Sequence, residues 1–362
     1  GSDEDTLPMI YVFESKYYSG TFVSSRFTGN PVAELGIGFL AFFFGSFAAN
    51  LVTFLFLVFG LIFFFLTLNK KFEINELFLF LLLCLTSPIL FFDNIEPIDY
   101  SWALLFFSLG SYFYSKKIFE LSILFFAFCI GTRINYLLFL LSFIIFFEND
   151  SKIYFKRKII IFLCSFIMGG LFYLPIWFDN SFDLSWLTAA RPTDQGLLGL
   201  ASRFFYKTYI TTGYLVSLIL FVILLKYFSK LKSIENKTLI FSLILSNLLI
   251  FFWIPAEYSY LQIYLIALLY LVYKLRIKKL LYLICICHFF SWFVSISFLE
   301  INHKDNTYCG PKNAISAKIK FQVDKGYLSN YLKSREKISC WVHGEDERSL
   351  KILEGKSLKK QK

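Results

Sequence analysis

Apolar residues run along this chain in long blocks separated by short polar connections. A bilayer-spanning helix needs about 20 apolar residues, and bundles also contain shorter ones. Reading for such runs predicts spans at 47–68, 76–92, 100–115, 118–132, 135–147, 159–178, 211–228, 239–254, 260–273 and 280–298, about ten crossings in all. The segment 32–45, "VAELGIGFLAFFFG", is short, carries Glu34 and ends at Gly45, so it reads as a helix lying at the interface. Ahead of it, Leu7, Ile10, Tyr11, Phe13, Glu14, Tyr17 and Tyr18 have helical spacing, with Asp5 near the helix start, where negative charge is favoured. After 298 the sequence mixes apolar and polar residues, as a small soluble appendage would. The expected fold is therefore an all-α polytopic membrane protein. Residues 1–46 form an outer-face loop and interfacial helix, 47–298 a transmembrane bundle, and 299–362 a soluble C-terminal tail. No linker, low-complexity tract or repeat interrupts this plan.

The basic residues give the bundle a direction. Lys70 and Lys71, Lys116 and Lys117, Lys152 to Lys158, Lys226 to Lys237, and Lys274 to Lys279 mark every second connection. The intervening connections are poor in bases: 93–99 and 255–259 have none, and 133–134 has only Arg133. Short cytoplasmic loops are enriched in Lys and Arg. The alternation therefore places 1–31, 93–99, 179–210 and the tail on the outer, periplasmic side of a bacterial inner membrane. The tail's own bases vote the other way, but long polar domains follow that rule poorly.

Composition agrees with a membrane protein: 57% of residues are hydrophobic and 48 are Phe, well above the roughly 45–50% of soluble domains. The net charge of +10 sits in juxtamembrane clusters without a basic helix face or stacking platform, which argues against nucleic acid as a partner. Cys84, Cys129, Cys164, Cys285 and Cys287 lie in apolar runs and read as small buried hydrophobes. Cys309 and Cys340 lie in polar sequence and can pair if the tail is outside the cytoplasm. The first residue is Gly and no signal-peptide pattern precedes the acids, so Gly1 and Ser2 read as a cloning remnant or as the start of a processed piece.

Candidate chemistry begins with Asp3, Glu4 and Asp5, followed by "SRFTGNP", which supplies Arg26, Gly29 and Pro31. For any one of these acids, a plain N-cap is the simpler role. Taken with "FFFG" ending at Gly45, "TSPILFFDNIEPIDYSWALLFFSLGSYFYSKK", "CIGTRINYLLFLL" and "IPAEYSYLQIYL", the set resembles membrane-embedded glycosyltransferases of the C-type fold. The likeness is strongest to the bacterial relatives of protein mannosyltransferases and aminoarabinose transferases. It covers most of residues 3–275, in short degenerate motifs whose order carries more than any one of them. The family's spanning helix ahead of the acidic loop has no counterpart in residues 1–46.

The resemblance implies transfer of a sugar from a polyprenyl-phosphate carrier to a hydroxyl of a lipid, glycan or protein acceptor at the outer face. Such a reaction needs a carboxylate to take the acceptor's proton; Asp5 is the first choice and Asp3 the second. It also needs cations for the departing phosphate: Arg26, Arg133, Arg191, Arg203 and Lys207 are the candidates. Arg133 stands out, because an Arg between two apolar helices is costly unless paired or facing a cavity; snorkelling, or pairing with a loop acid, would satisfy it equally well. Arg191 reads better as a solvated loop residue, and Arg203 with Lys207 as membrane anchors. Asp99 matches the family's second outer-loop carboxylate, positioning the acceptor or, with Glu96, a divalent ion; a solvated loop end is its plain role. Glu257 and Tyr258 are candidates to touch the sugar or carrier. His288 reads as an interior residue, and His303 and His343 lack zinc-ligand spacing. A transporter or flippase of a lipid-linked or small polar solute is the alternative from another class, although Gly169, Gly170 and Pro175 have no matching counterpart in a second half. A polysaccharide polymerase or ligase and a non-catalytic assembly subunit are further readings.

Overall fold

The computed structural model describes residues 9, 12–13, 16–17, 29–147, 155–179, 201, 204–205, 207–208, 212–231, 233–253, 258–303, 314–329 and 332. It is mostly helical. In chain order the helices are α1 (Pro31–Phe44), α2 (Ser46–Leu68), α3 (Ile74–Leu85), α4 (Pro88–Phe92), α5 (Asp99–Ser115), α6 (Phe119–Thr132) and α7 (Tyr136–Phe146). There follow α8 (Phe155–Leu171), α9 (Leu174–Asp179), α10 (Tyr214–Lys226), α11 (Phe228–Leu231) and α12 (Lys237–Trp253). A tight turn over Tyr258–Leu261 leads into α13 (Gln262–Lys274) and α14 (Lys278–Phe293). Strands β1 (Val294–His303) and β2 (Ala314–Lys325) then pair antiparallel.

The apolar blocks of the sequence become helices nearly one for one, with three departures that have local causes. The block 76–92 is cut at Thr86 and Ser87 because Pro88 lacks an N–H and cannot continue α3; it serves instead as the first residue of α4. The block 159–178 starts earlier, at Phe155, and breaks at Phe172 and Tyr173 before Pro175. The predicted span 280–298 ends as helix at Phe293, and Val294 begins a strand. There "VSISFLEI" alternates with β-branched residues, and "AISAKIKFQV" does the same; each offers the other the backbone partners that a lone strand lacks. The fold is thus helical with a terminal hairpin rather than all-α, and β1 runs across the 298/299 boundary that the sequence suggests.

The helices α2, α5, α6 and α8 pack successively against one another, with α1 laid against α2 and α6. A second group joins α7 to α12, α12 to α13 and α13 to α3. Small residues let the backbones approach. At Gly169, on α8, an added Cβ would stand 2.6 Å from Ile130 Cβ and 3.2 Å from the Ala127 carbonyl oxygen. Short polar links cross the apolar interfaces: Trp102 Nε1 donates to Thr53 Oγ1 at 3.2 Å, and Ser142 and Ser246 share a hydrogen bond of 2.7 Å. Of the first helical stretch, Met9 and Val12 are fully buried. Met9 packs with Ala33, Ile37 and Trp102, and Val12 with Tyr173 and Ile176.

The outward faces are apolar as well. On α8, Leu163, Ile167 and Leu171 are exposed; on α10, Leu218, Phe221 and Leu225; on α14, Ile286, Phe289 and Phe293. Helices apolar on every side belong in a large core or a bilayer. Among the described residues, one helix, α2 with 23 residues, is long and apolar enough by itself to cross a membrane.

Candidate functional site

Asp99 is the first residue of α5 and Arg133 follows the last residue of α6. The two helices are adjacent and joined by the short connection at 116–118, so they run antiparallel and these ends meet. A carboxylate at a helix N-terminus and a guanidinium at a helix C-terminus each complement the backbone dipole. Arg133 Nη1 lies 2.9 Å from Asp99 Oδ1, with the two side chains 6% and 0% exposed. The other Asp99 oxygen accepts a 2.6 Å hydrogen bond from Asn30 Nδ2. Asn30 is the residue before α1, and Gly29 ahead of it takes the left-handed φ of 66° that glycine tolerates. The "GNP" turn of the sequence thus aims an amide at a carboxylate sixty-nine residues away.

Aromatic rings enclose the cation. The guanidinium carbon lies 3.7 Å from the centroid of Tyr100 and 5.1 Å from that of Tyr260, and the two rings meet edge to face at 6.0 Å. This is favourable cation–π geometry, strengthened by the loss of water. Tyr173, in the break between α8 and α9, donates its hydroxyl to the Ile130 carbonyl at 2.8 Å. That bond satisfies one of the carbonyls left open at the end of α6. Tyr173 is within electrostatic reach of Arg133, Glu34 and Asp99. Glu34, fully buried, lies one turn into α1 from Asn30. Ser259 Oγ donates to Asp93 at 3.0 Å, tying the 93–98 connection to the Tyr258–Leu261 turn, and Ser101 donates to Asn94. Beside the pair is a crevice lined by Tyr100, Asn135, Tyr136, Asn247, Tyr260 and Gln262 among others. Its free volume of ≈ 10 Å³ holds about one water.

Asp99 and Arg133 were both legible as candidates, and they prove to be each other's partner. Arg133 is paired with an acid, one of the roles the sequence allowed, here at a helix start; the crevice beside it is lined by Tyr100 and Tyr260 and not by Arg133 itself. Glu96 is half-buried in the 93–98 connection and does not line the crevice. Both Asp99 oxygens already accept hydrogen bonds, one from a cation, a setting poorly suited to a divalent ion. Among the described residues no three His, Cys, Asp or Glu side chains gather as a metal site. Lys207 is a half-buried helical residue ahead of α10 and does not line the crevice. Tyr258 opens the turn whose later residue, Tyr260, reaches the guanidinium. Asp3, Asp5, Arg26, Arg191, Arg203 and Glu257, with Cys309 and Cys340, lie outside the described residues. Asn30, Tyr100, Tyr173 and Tyr260 were not singled out. The first, second and fourth stand inside the quoted motifs, one or two positions from residues that were; Tyr173 carried no signal beyond its neighbouring proline.

The connections sort by end. Those at 29–30, 93–101, 133–136, 173 and 258–262 meet around the ion pair. At the other end, Lys274 Nζ donates to Asn69 Oδ1 at 2.5 Å, Asn236 Nδ2 to the Leu68 carbonyl at 3.5 Å, and Arg276 stands 3.6 Å from Glu76. These are the base-poor and base-rich sets, respectively. No protein-family model, curated protein or solved structure was found to match the chain.

Proposed function

We propose that this chain is an integral membrane glycosyltransferase of the C-type fold, with about ten crossings, its ion-pair end facing the periplasm. It takes a sugar from a polyprenyl-phosphate carrier and passes it to a hydroxyl of a lipid, glycan or protein acceptor. Membrane embedding is supported by the apolar outer faces of α8, α10, α12 and α14, which in a soluble monomer would far exceed an ordinary exposed patch. Helices shorter than a full span serve in such a bundle where their connecting turns are buried in protein rather than in lipid.

What carries the reading is convergence. Four segments through which the sequence resembles that family, "SRFTGNP", "DNIEPIDYSW", "GTRINY" and "IPAEYSYL", contribute Asn30, Asp99 with Tyr100, Arg133, and Tyr260 to one buried cluster. In the proposed reaction the bond from the sugar's anomeric carbon to the carrier phosphate breaks, and the electron pair leaves with polyprenyl phosphate. The acceptor oxygen forms the new bond and its proton passes to a carboxylate, Asp5 first and Asp3 second. Charge developing on the phosphate is met by Arg133 and Arg26; Asp99 and the two tyrosines hold the Arg133 plane in position. Downstream of the leading aspartates, Met9 packs with Ala33 and Val12 with Tyr173, which is what supports assigning them this role.

The test is transfer of label from a polyprenyl-phosphate hexose in membranes carrying the wild-type chain or Asp5→Asn. The expected result is a labelled glycoside with wild type and loss of turnover in the variant at equal protein level. Carrier-dependent solute movement with no new glycosidic bond would instead establish the transporter reading and overturn this one.

A further inference from the structure

The base-rich end holds a second concavity that the sugar-transfer reading does not use. It lies between the α11 end with its following turn and the end of α13, and measures ≈ 510 Å³, within the usual size of small-ligand sites. Lys230, Lys274 and Arg276 line it with Glu235 and Ser233. Three cations face Glu235 in the lining and Glu76 beside Arg276, an excess of one positive charge that favours an anion.

The walls are built rather than incidental. Lys274 is half-buried and its ammonium is fixed by Asn69, which Tyr270 also contacts through its hydroxyl at 3.3 Å. Asn236 closes the turn after Glu235 in the left-handed region, φ 59°, and ties it to the Leu68 carbonyl. Arg276 also takes a left-handed φ, 58°, as residues just past a helix C-cap commonly do, here after Leu275. That backbone carries its guanidinium to the rim, where the side chain is 75% exposed and 3.6 Å from Glu76. One cation therefore sits in the floor and two stand at the rim. Apolar side chains flank them: Ile234 and Leu275 in the wall, with Leu225 and Phe228 exposed on the two helices leading up to Lys230.

We infer that this basin binds the phosphate group of an anionic phospholipid, with its acyl chains lying along Leu225 and Phe228. A phosphodiester accepts from several N–H donors at once, as the Lys and Arg spacing offers. The flanking apolar surface favours a lipid over free phosphate, and basic pockets between helix ends on the cytoplasmic side are suited to such headgroups.

The measurement is native mass spectrometry and thermal unfolding of the purified full chain in detergent, titrated with phosphatidylglycerol, phosphatidylcholine or inorganic phosphate. Phosphatidylglycerol is expected to bind saturably and raise the unfolding temperature, and phosphatidylcholine is not. Replacing both rim cations, Lys230→Gln with Arg276→Gln, should weaken phosphatidylglycerol on the order of thirtyfold. Glu235→Gln should tighten it roughly fivefold, a gain that a misfolded variant cannot mimic. Equal phosphatidylglycerol binding by wild type and the double variant, or no gain in Glu235→Gln, overturns the site. If inorganic phosphate protects as well as the lipid and depends on the same two cations, the lipid assignment falls.

Discussion

Replacing Asp99 by Asn alters charge and donor pattern with almost no change in shape. Both carboxylate oxygens accept, from Arg133 Nη1 at 2.9 Å and from Asn30 Nδ2 at 2.6 Å. An amide offers one oxygen and one N–H₂ group: the oxygen can still accept from Arg133, but the N–H₂ then faces the Asn30 amide unless that amide turns over, and the charge that balanced the guanidinium is gone. At 2.9 Å the charge pair is worth about 6 kcal/mol at an effective dielectric of about 20, opposed by several kcal/mol of desolvation for each ion. Removing one partner leaves Arg133 charged and buried, a loss of about 3–5 kcal/mol, or roughly 6–10 °C of unfolding temperature at about 2 °C per kcal/mol for a large chain. Replacing both charges by apolar residues, Asp99→Leu with Arg133→Met, should restore most of that stability, because isosteric apolar pairs often match a buried ion pair. Sugar transfer should stay lost in the double variant. Thermal unfolding in detergent and labelled-sugar transfer in membranes read the two effects separately. If Asp99→Asn melts with wild type, the buried pair is not where stability resides. If the apolar double variant transfers sugar normally, Arg133 holds helices together and does no chemistry.

Gly169→Ala should destabilise by about 1–3 kcal/mol, because its Cβ would be 2.6 Å from that of Ile130, whereas Gly170→Ala, with nothing within 4 Å, should stabilise α8 by about 0.5–1 kcal/mol; thermal unfolding of the two variants checks the sign of each. Asn69→Ala leaves Lys274 and Tyr270 without their shared acceptor and should cost about 1–3 kcal/mol, seen as a lowered unfolding temperature. In a Cys309→Ser, Cys340→Ser background, Phe321→Cys on the hairpin should react with a membrane-impermeant maleimide added to intact cells, and Lys117→Cys only after the membrane is opened. Labelling of Lys117→Cys in intact cells would reverse the orientation.

Helices were the legible part of this chain, since an apolar block with polar ends has few other ways to satisfy its backbone. Their breaks were missed even where a residue forbids continuation: the span 76–92 runs straight through Pro88, which cannot extend α3. The hairpin was missed for a different reason. Residues 294–298 are as apolar as the helix before them, and what makes them a strand is a partner beginning at Ala314. A long-range pairing of this kind leaves a period of two in each half but no sign that the halves meet.

The site shows the same division between cost and partnership. Arg133 could be picked out because a lone cation in apolar sequence is expensive, and cost is a local property. Its relief is not local: it comes from Asp99 on the preceding helix, Tyr100 beside it, Tyr260 far along the chain and, through Asp99, Asn30 near the start. Each of these is unremarkable alone, an acid at a helix start, two tyrosines near an interface, an amide in a turn. Sequence therefore revealed which residue needed an explanation, and only the packing of α5 against α6 supplied it. The same packing is not explained by stability alone, since an apolar pair at these two helix ends would stabilise the bundle as much. An ion pair wrapped in aromatic rings and fed by an amide from a distant turn is a costly way to join two helices, and that cost is the reason for proposing a role for Arg133 beyond stability.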